Sequence, residues 1–336
     1  MRAAVLRAYG QLLEFTELAV PEPSGARDVL VRVEGAGVCA TDLHAIDGLM
    51  EPAGVTLPRV LGHENAGTVE AVGTDVSTVA AGDGVLIYPP YSCGLCVPCR
   101  RGNDMHCRRH EFTGLSVDGG FAEYVLVDER SLVKLAPGVD RVAIAPHADA
   151  GLTAYHAVRR LAHRAHPGTT AVVLGVGGVG HIALQLLREL GSSRVVCVDT
   201  DVRRRRLAAQ LGADEVVSTA EELREAIGPQ GAELVFDFVG SDATHATSLA
   251  ALARGGSYSV IGYGGTIACG SADLVVSEQQ LIGNLVGTWT DLWELVELHT
   301  AGRVQLAIER HPLEAVNDVL AKLREGEITG RAVLVP

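Results

Sequence analysis

The sequence predicts an α/β protein in which a β-rich domain precedes a domain with a doubly wound parallel sheet. Residues 1 to about 90 contain short apolar runs separated by Gly, Pro and Asp, and this pattern is typical of β-rich domains. Beyond residue 170, runs that resemble strands alternate with helical patterns, which indicates a parallel sheet covered by helices. The length of 336 residues provides for about two such domains.

Apolar periodicity places the individual elements along the chain. Strands are predicted at Met1–Leu6, Val29–Val33, Gly67–Gly73, Phe121–Val127, Val172–Leu174, Arg194–Val198, Glu215–Val217, Leu234–Val239, Ser257–Gly262 and Arg331–Val335. Helical patterns cover Leu152–Leu161 and Ile182–Leu187. The alternation of Val304, Leu306 and Ile308 predicts that the chain returns to the first domain after about residue 287.

The composition is that of a globular protein and argues against several classes of partner. Apolar residues make up 47% of the chain, which is enough to form hydrophobic cores. The formal net charge of −13 disfavours nucleic acid as a partner, because binding to phosphates needs a basic face. The sequence has no apolar run of about 18 residues and no basic-then-apolar leader, so we expect no membrane partner and a cytoplasmic location.

A glycine-rich turn joins the strand at Val172–Leu174 to the helical pattern at Ile182–Leu187. Its spacing fits G-x-G-x-x-G, in which the first glycine permits the turn, the second admits a pyrophosphate and the third lets helix and strand pack closely. Free N–H groups at the start of the helix can then bind the phosphates. The residues predicted to contact a dinucleotide here are Gly175, Gly177, Gly178, Val179 and Gly180.

An acidic residue follows the next strand, as this kind of site requires. Asp199 can accept hydrogen bonds from the adenosine ribose and repels a 2′-phosphate, so it favours NAD over NADP. The run Arg203–Arg206 lies just beyond it and could meet a 2′-phosphate, although it fits the solvated face of the next helix better. Val239 and Ile261 lie at the ends of later strands and are predicted to lie along the cofactor, at the carboxyl edge of the sheet.

The chain has seven cysteines, and four of them form a cluster. Intracellular cysteines at this density favour metal binding or catalysis over disulfides. Cys93, Cys96, Cys99 and Cys107 can close around one tetrahedral zinc, and a closed Cys₄ shell makes such a metal structural. An iron–sulfur cluster also takes four thiolates and is the competing interpretation, and reduced thiols without metal are a third. Cys197 and Cys269 are assigned no role.

Two glycine-flanked turns carry another pair of candidate metal ligands, Cys39 and His63. A thiolate and an imidazole are good zinc ligands, and a catalytic zinc keeps one position open for water or substrate. Cys39 and His63 are far apart in the sequence, so their spacing alone does not identify a metal site. Both have polar neighbours in their turns, and these are Thr41, Asp42, His44 and Glu64.

In this order along the chain, the motifs resemble the zinc-dependent alcohol dehydrogenases of the medium-chain dehydrogenase/reductase family. The resemblance covers essentially the full length. It implies a β-rich GroES-like catalytic zinc domain at 1–150, completed by 288–336, and an NAD-binding Rossmann domain at 151–287. It also implies NAD and two zinc ions per chain as cofactors. Because relatives are dimers or tetramers, a homodimer or homotetramer is expected.

The resemblance supplies a third ligand for the catalytic zinc. Cys39 and His63 match the first two ligands of the family, and Asp149 matches the third, which precedes a Gly-x-Thr-x-Tyr-type helix. Many members have cysteine at this position while others use aspartate, and a carboxylate is an acceptable zinc ligand. His147 is unusual so close to a ligand. The sequence favours a histidine bonded to the backbone over a pocket residue.

The resemblance also implies roles for the residues around the metal. Thr41 would bind the substrate oxygen, and His44 would receive its proton at the surface. Asp42 would orient the His63 ring, and Glu64 is a transient zinc ligand in some members of the family. Arg331 matches an arginine that reaches the cofactor pyrophosphate. In contrast, Trp289 stands where many relatives have an arginine. Whether this chain makes the contact that the arginine makes in those relatives is therefore in doubt.

The activity implied is reversible NAD-linked oxidation of an alcohol, with secondary alcohols and ketones favoured as substrates. Zinc would polarise the substrate oxygen, hydride would pass to the nicotinamide, and the proton would leave through Thr41 and His44. Polyols, threonine and aldehyde adducts are alternative substrates within the same family. A protein that binds NAD without turnover is the alternative from a different class.

Overall fold

The structure is a computed structural model that describes residues 1–51, 54–109 and 111–336. These residues form two compact units. The first comprises Met1–Leu152, Thr288–Ala301 and Leu306–Pro336, and the second comprises Thr153–Gly287 and Gly302–Gln305. Among the described residues, we find no helix with the length and apolar character needed to cross a membrane.

The strands follow the apolar runs of the sequence closely. They are β1 (Arg2–Leu6), β2 (Glu14–Glu17), β3 (Asp28–Gly37), β4 (Arg59–Val60), β5 (Glu64–Val72), β6 (Gly84–Ile87), β7 (Tyr124–Asp128), β8 (Leu132–Lys134), β9 (Thr170–Leu174), β10 (Arg194–Val198), β11 (Glu215–Val217), β12 (Ala232–Asp237), β13 (Leu252–Val260), β14 (Gln280–Gly283), β15 (Ile308–Pro312) and β16 (Arg331–Val335). Each predicted strand is confirmed within a few residues, except that the alternation at Val304–Ile308 gives a strand only from Ile308 onward.

The helices are short and are concentrated in the second half of the chain. They are α1 (Ala40–Ile46), α2 (Val97–Arg100), α3 (Arg141–Ile144), α4 (Ala150–Leu161), α5 (Gly180–Leu190), α6 (Val202–Gln210), α7 (Ala220–Ile227), α8 (Asp242–Ala251), α9 (Ser271–Ser277), α10 (Trp289–Thr300) and α11 (Val316–Arg324). The helical patterns predicted at Leu152–Leu161 and Ile182–Leu187 are confirmed as α4 and α5.

The first unit is built on a largely antiparallel sheet with the order β15-β16-β3-β5-β6-β8, and β7 also pairs with β3. A smaller sheet has the order β2-β1-β4. Strand β3 is central, and its inward side chains Val29, Val31 and Val33 are buried in the core. At Gly67 in β5, an added Cβ would lie 2.0 Å from the carbonyl oxygen of Arg32, so only glycine allows the two strands to approach this closely.

The second unit contains a parallel sheet with the order β11-β10-β9-β12-β13-β14. Its first strand in the chain, β9, lies between β10 and β12, so the direction of winding reverses there. In sheets of this kind, ligands bind outside the carboxyl ends of the strands at the point of reversal. The predicted doubly wound α/β fold is therefore confirmed. Its carboxyl edge is formed by the residues that follow Leu174, Val198, Asp237 and Val260.

Candidate metal centres and cofactor site

The register of β3 and β5 brings two distant candidate ligands together in the first unit. Gly37 at the end of β3 pairs with Glu64 at the start of β5. Cys39 lies two residues after Gly37, and His63 directly precedes Glu64, so both side chains are placed at the same end of the strand pair. Asp149 lies just before α4, and its carboxylate completes a group whose ligand atoms all lie within 4.8 Å of one another.

The geometry of these three side chains fits a tetrahedral zinc. Asp149 Oδ2 lies 3.7 Å from Cys39 Sγ and 3.5 Å from His63 Nε2. With the usual bond lengths, a tetrahedral zinc separates a sulfur and an oxygen ligand by about 3.6 Å, and a nitrogen and an oxygen ligand by about 3.4 Å. Both ring nitrogens of His63 are buried without a hydrogen-bond partner among the described residues, and Nε2 is the one that lies next to Asp149 Oδ2, so it is free to bind a metal ion there.

Asp42 connects the two turns that carry Cys39 and His63. Its Oδ2 accepts a hydrogen bond of 2.8 Å from the backbone N–H of Cys39, which is the residue that caps α1. Its Oδ1 lies 3.2 Å from His63 Nδ1. The side chains of Asp42 and His63 are buried, so a carboxylate beside Nδ1 favours the tautomer that leaves Nε2 free to bind a metal.

The charge state of Asp149 also suits a metal ligand. Burial raises the pKa of this carboxyl, but the contacts with His63, Arg331 and Cys39 together outweigh burial and hold the pKa below its ordinary value. The carboxylate is therefore ionised at neutral pH, as a zinc ligand must be.

Glu64 and Arg331 form a buried ion pair next to this group. Arg331 Nε donates to Glu64 Oε2 at 2.9 Å, and Arg331 Nη2 donates to Glu64 Oε1 at 2.5 Å. Glu64 Oε1 also accepts a hydrogen bond of 2.9 Å from the backbone N–H of Ala150, the residue after Asp149. Both carboxylate oxygens are thus engaged, and Glu64 holds the turn that carries Asp149.

The two remaining candidate catalytic residues lie on α1. Thr41 and His44 are three residues apart and so occupy the same face of the helix. Both are partly exposed, whereas Asp42 is buried on another face of the same helix. A capping box at Cys39 and Asp42 starts α1 directly after the candidate ligand, so the local sequence fixes the position of Thr41 and His44 relative to Cys39.

The four clustered cysteines come together as the spacing predicts. Their sulfur atoms lie within 4.8 Å of one another, with Cys96 Sγ and Cys93 Sγ at 3.3 and 3.9 Å from Cys99 Sγ. Sulfur ligands of a tetrahedral zinc lie about 3.8 Å apart. The backbone N–H groups of Leu95 and Cys96 point at the sulfur of Cys93 and lower the pKa of its thiol to about 6. Burial raises the pKa of the Cys99 thiol to about 11. Cys93 is therefore prepared to supply a thiolate, whereas Cys99 ionises readily only with a metal ion as its partner.

A contact that the sequence did not reveal anchors this loop within the first unit. Asp104, which lies between the third and fourth cysteines, accepts a hydrogen bond of 2.9 Å from the backbone N–H of Trp289 at the start of α10. Trp289 Nε1 donates to the carbonyl oxygen of Leu132 at 3.1 Å. The indole at the position where many relatives have arginine is therefore a packing and anchoring group. The one sequence feature that could have indicated this contact is the acidic residue Asp104 inside the cysteine loop.

The glycine-rich turn of the second unit has the geometry of a dinucleotide site. Gly175 has a φ of +85°, which favours glycine. A Cβ at Gly180 would lie 1.9 Å from the carbonyl oxygen of Gly175, so the close approach of α5 to β9 requires glycine there. A Cβ at Gly177 would meet no described atom within 4 Å, which leaves open space for a pyrophosphate. Gly178 and Val179 complete the turn, with Val179 capping α5.

Asp199 lies at the carboxyl end of β10, next to this turn. Its Oδ2 accepts a hydrogen bond of 2.8 Å from the backbone N–H of Val176, and its Oδ1 accepts one of 2.9 Å from that of Asp201. Each oxygen keeps a lone pair for a ribose hydroxyl. Of the following arginines, Arg203 is paired with Asp201, its Nη2 donating at 2.6 Å. The guanidinium of Arg203 is thus already neutralised by a neighbouring carboxylate.

Val239 and Ile261 lie at the same edge of the parallel sheet and share an anchor. Asp237, at the end of β12, accepts a hydrogen bond of 2.9 Å from the backbone N–H of Val239 through Oδ1. Its carbonyl oxygen accepts one of 3.0 Å from the N–H of Ile261. Tyr258 donates to Asp237 Oδ2 at 3.0 Å and lies 2.6 Å from His245 Nδ1. This buried network, which sequence patterns did not indicate, fixes the backbone positions of Val239 and Ile261.

Two family models match the chain. The "Alcohol dehydrogenase GroES-like domain" model matches residues 25–137, which include Cys39, His63 and the four clustered cysteines. The "Zinc-binding dehydrogenase" model matches residues 178–301, which include most of the second unit.

Proteins with known structures or curated descriptions resemble the chain over its whole length. The crystal structure of the alcohol dehydrogenase from Aeropyrum pernix has a TM-score of 0.97 and 41% sequence identity and covers 100% of both chains. The NAD-dependent alcohol dehydrogenase of Sulfolobus acidocaldarius is 37% identical over 99% of each chain. The D-arabinose 1-dehydrogenase (NADP(+)) of Saccharolobus solfataricus is 34% identical over 100% of this chain and 97% of the relative.

Proposed function

The chain belongs to the zinc-dependent alcohol dehydrogenases of the medium-chain dehydrogenase/reductase family, and on that premise we propose its substrate class and the roles of its residues. It is an NAD-linked oxidoreductase with two zinc ions per chain that interconverts alcohols and carbonyl compounds. The preferred substrates are secondary alcohols and ketones. The observation that carries the proposal is the convergence of Cys39, His63 and Asp149, since three protein ligands leave a zinc one position for the substrate.

The protein's part in the chemistry begins with holding the catalytic metal. When bound, zinc acts as a Lewis acid that lowers the pKa of a substrate hydroxyl, while NAD accepts the hydride. Cys39, His63 and Asp149 hold the ion, and Asp42 keeps the His63 ring in the tautomer that can bind it. Glu64 holds the Asp149 turn through Ala150, so any transient ligation by Glu64 requires its release from Arg331.

Thr41 and His44 carry the proton away from the substrate hydroxyl. Thr41 Oγ1 accepts the substrate proton as it releases its own hydroxyl proton toward His44, which is possible because a hydroxyl both accepts and donates hydrogen bonds. His44 then takes it toward solvent, since an imidazole exchanges protons readily near neutral pH. Their shared face on α1 and their partial exposure support this order.

Thr41→Val tests this mechanism because it keeps the shape of the side chain and removes the hydroxyl. We expect kcat/KM for 2-butanol with NAD to fall by about 10²- to 10⁴-fold, the usual contribution of proton transfer by a positioned group. Zinc content should stay at two ions per chain, and Thr41→Ser, which retains the hydroxyl, should keep most of the activity. Unchanged turnover in Thr41→Val would contradict the assigned role.

The dinucleotide is held by the glycine-rich turn, by residues at the carboxyl edge of the parallel sheet and by Arg331. Gly175, Gly177, Gly178, Val179 and Gly180 bind the pyrophosphate, Asp199 binds the adenosine ribose, and Val239 and Ile261 line the cofactor along the sheet edge. Arg331 is assigned to the pyrophosphate, for which its partner Glu64 keeps the guanidinium oriented. Residues 1–150 and 288–336 accordingly form the catalytic zinc domain, and 151–287 form the NAD domain.

The alternative substrate class is sugars and other polyols, and one relative favours it. A D-arabinose 1-dehydrogenase matches the chain over its full length at 34% identity. Comparison of kcat/KM for 2-butanol, D-arabinose, glycerol and threonine decides between the classes. A sugar preferred over 2-butanol by more than about ten-fold would replace the proposal for simple secondary alcohols.

We also propose a homodimer or homotetramer in the cytoplasm. The edge strand β14 and the exposed apolar residues Val275, Val276 and Leu285 support self-association. All seven cysteines are free thiols in the structure, which suits a reducing compartment. Light scattering during size-exclusion chromatography measures the number of subunits directly.

A further inference from the structure

The third ligand of the catalytic metal group is held differently from the other two. Cys39 and His63 flank paired strands, and their positions follow from the register of β3 and β5. Asp149 instead lies between a 3₁₀ turn at Ala145–Ala148 and the start of α4. Its position therefore depends on whatever packs against this connection.

A buried histidine occupies that connection two residues before Asp149. The His147 side chain is fully buried, and its Nε2 lies 3.1 Å from Nδ1 of His299 on α10. The ring centroids are 4.9 Å apart with an interplanar angle of 78°, so the rings meet edge to face. One ring nitrogen donates and the other accepts, which fixes both the distance and the relative orientation of the rings.

The same imidazole also packs against the residue on the other side of Asp149. A Cβ at Gly151 would lie 2.1 Å from His147 Nδ1 and 2.8 Å from Leu295 Cδ2. Leu295 and His299 are four residues apart and so lie on one face of α10. That face therefore contacts the connection on both sides of Asp149, and only glycine at position 151 leaves room for the contact.

The helix that supplies these contacts is itself firmly anchored in the first unit. Thr288 and Asp291 form a capping box at its start, and Trp289 is bonded to Asp104 and to Leu132. An element fixed at its N-terminus defines the position of side chains near its other end, because the hydrogen bonds of a helix fix the rise and rotation of each residue.

We propose that His299 is a positioning residue that, through His147, fixes the carboxylate of Asp149 for metal binding. This inference rests on the proposed role of Asp149 as a zinc ligand. It predicts that His299 sets the affinity and geometry of the catalytic metal, although it ligates nothing itself. Mutation of a residue that hydrogen-bonds to a metal ligand commonly weakens metal affinity by about 10- to 100-fold. Because His299 acts on Asp149 through one further residue, His147, we expect its loss to weaken zinc affinity by about ten-fold.

The test compares metal binding by full-length variants. His299→Leu removes the ring nitrogen, and His299→Asn keeps a polar atom close to the position of Nδ1. Glu297→Ala, at an exposed position of the same helix, is the matched control. Asp149→Asn tests the ligand itself. Competition with a chelator measures the affinity of the catalytic site for zinc. The visible absorption of Co²⁺ bound at the catalytic site reports its coordination geometry.

The inference is supported if His299→Leu weakens the catalytic zinc by about ten-fold and shifts the cobalt spectrum, while His299→Asn and Glu297→Ala match the wild type. It is overturned if His299→Leu keeps the wild-type affinity and spectrum although Asp149→Asn changes both. If Asp149→Asn changes neither, the ligand assignment fails, and the inference fails with it. Should His299→Leu not fold, His299→Gln, whose amide is displaced by one methylene, is expected to weaken zinc binding, and wild-type affinity in that variant overturns the inference.

Discussion

The two metal centres of this enzyme are assembled by different means. The four-cysteine loop collects its ligands from 15 consecutive residues, and a short helix and a 3₁₀ turn bring their sulfur atoms together. The catalytic group collects Cys39, His63 and Asp149 from three parts of the chain, through a strand register and the packing of α10. The loop depends on local conformation, and the catalytic group depends on the fold of the whole first unit.

This difference predicts how each centre responds to change. A closed shell of four thiolates can only stabilise the loop and what it contacts, since it has no position for a substrate. The other centre has three protein ligands and one open position, so the substrate binds and reacts there. Loss of one ligand should therefore affect turnover at the catalytic centre and stability at the loop.

Cys39→Ala should produce the largest effect of this comparison. We expect kcat/KM for 2-butanol to fall by about 10³-fold or more, because the Lewis acid supplies several kcal/mol of transition-state stabilisation. Zinc content should fall from two ions per chain to one, with the four-cysteine site retained. Cys269→Ala, at an exposed position, is the matched control and should change neither quantity. Two tightly bound zincs and normal turnover in Cys39→Ala would falsify the assignment.

Cys96→Ser tests the four-cysteine centre. We expect it to lower thermal stability and to leave turnover nearly unchanged. Loss of the structural zinc should lower the melting temperature by about 5–10 °C, equivalent to a few kcal/mol for a unit of this size. The initial rate at low temperature should stay within about three-fold of the wild type, because no ligand of the reacting centre is changed. Cys269→Ser is the control. A collapse of turnover with unchanged thermal stability would show that the loop serves the chemistry directly.

Asp42→Ala sharpens the comparison within the catalytic centre. The change removes the carboxylate beside His63 Nδ1 and the acceptor for the Cys39 N–H. We expect the affinity for the catalytic zinc to fall by about 10- to 100-fold, as for other groups that orient a metal-bound histidine. Zinc titration with a competing chelator measures it. Asp42→Asn should lose less, since its amide oxygen can still accept the hydrogen bond from the Cys39 N–H, and equal losses in both variants would argue against this explanation.

The same division explains what could be predicted from the sequence. The four-cysteine loop was apparent from spacing, and the glycine-rich turn and Asp199 from a single strand–turn–helix–strand unit, because in each case the interacting residues are close in the chain. Apolar periodicity located most strands for the same reason. In contrast, Cys39, His63 and Asp149 could be grouped only through the family resemblance, because strand register cannot be inferred from two separated turns.

Contacts between distant polar residues could not be predicted at all. The pairing of Glu64 with Arg331 spans 267 positions, and the contact between His147 and His299 spans 152. The buried network of Asp237, Tyr258 and His245 joins a strand end, a neighbouring strand and a helix. In each case tertiary packing selects the partner, and isolated polar residues in the sequence carry no signal for it. The alternation at Val304–Ile308 did not give the bounds of β15, because the side chains of this strand are mostly polar and only partly buried.

Asp104→Ala should produce the smallest effect, and it tests whether the two centres are mechanically linked. Asp104 belongs to the four-cysteine loop and accepts the N–H of Trp289 at the start of α10, the helix whose far end carries His299. Removing the acceptor leaves that N–H without its partner, which costs about 1–3 kcal/mol. We expect a melting temperature lowered by a few degrees with two zincs still bound, and a catalytic zinc weakened by less than in His299→Leu. Asp104→Asn, which retains an acceptor oxygen, should show little change in either measurement. If Asp104→Ala lowers stability and leaves the catalytic zinc unaffected, the loop stabilises α10 without influencing Asp149, and the two centres are independent.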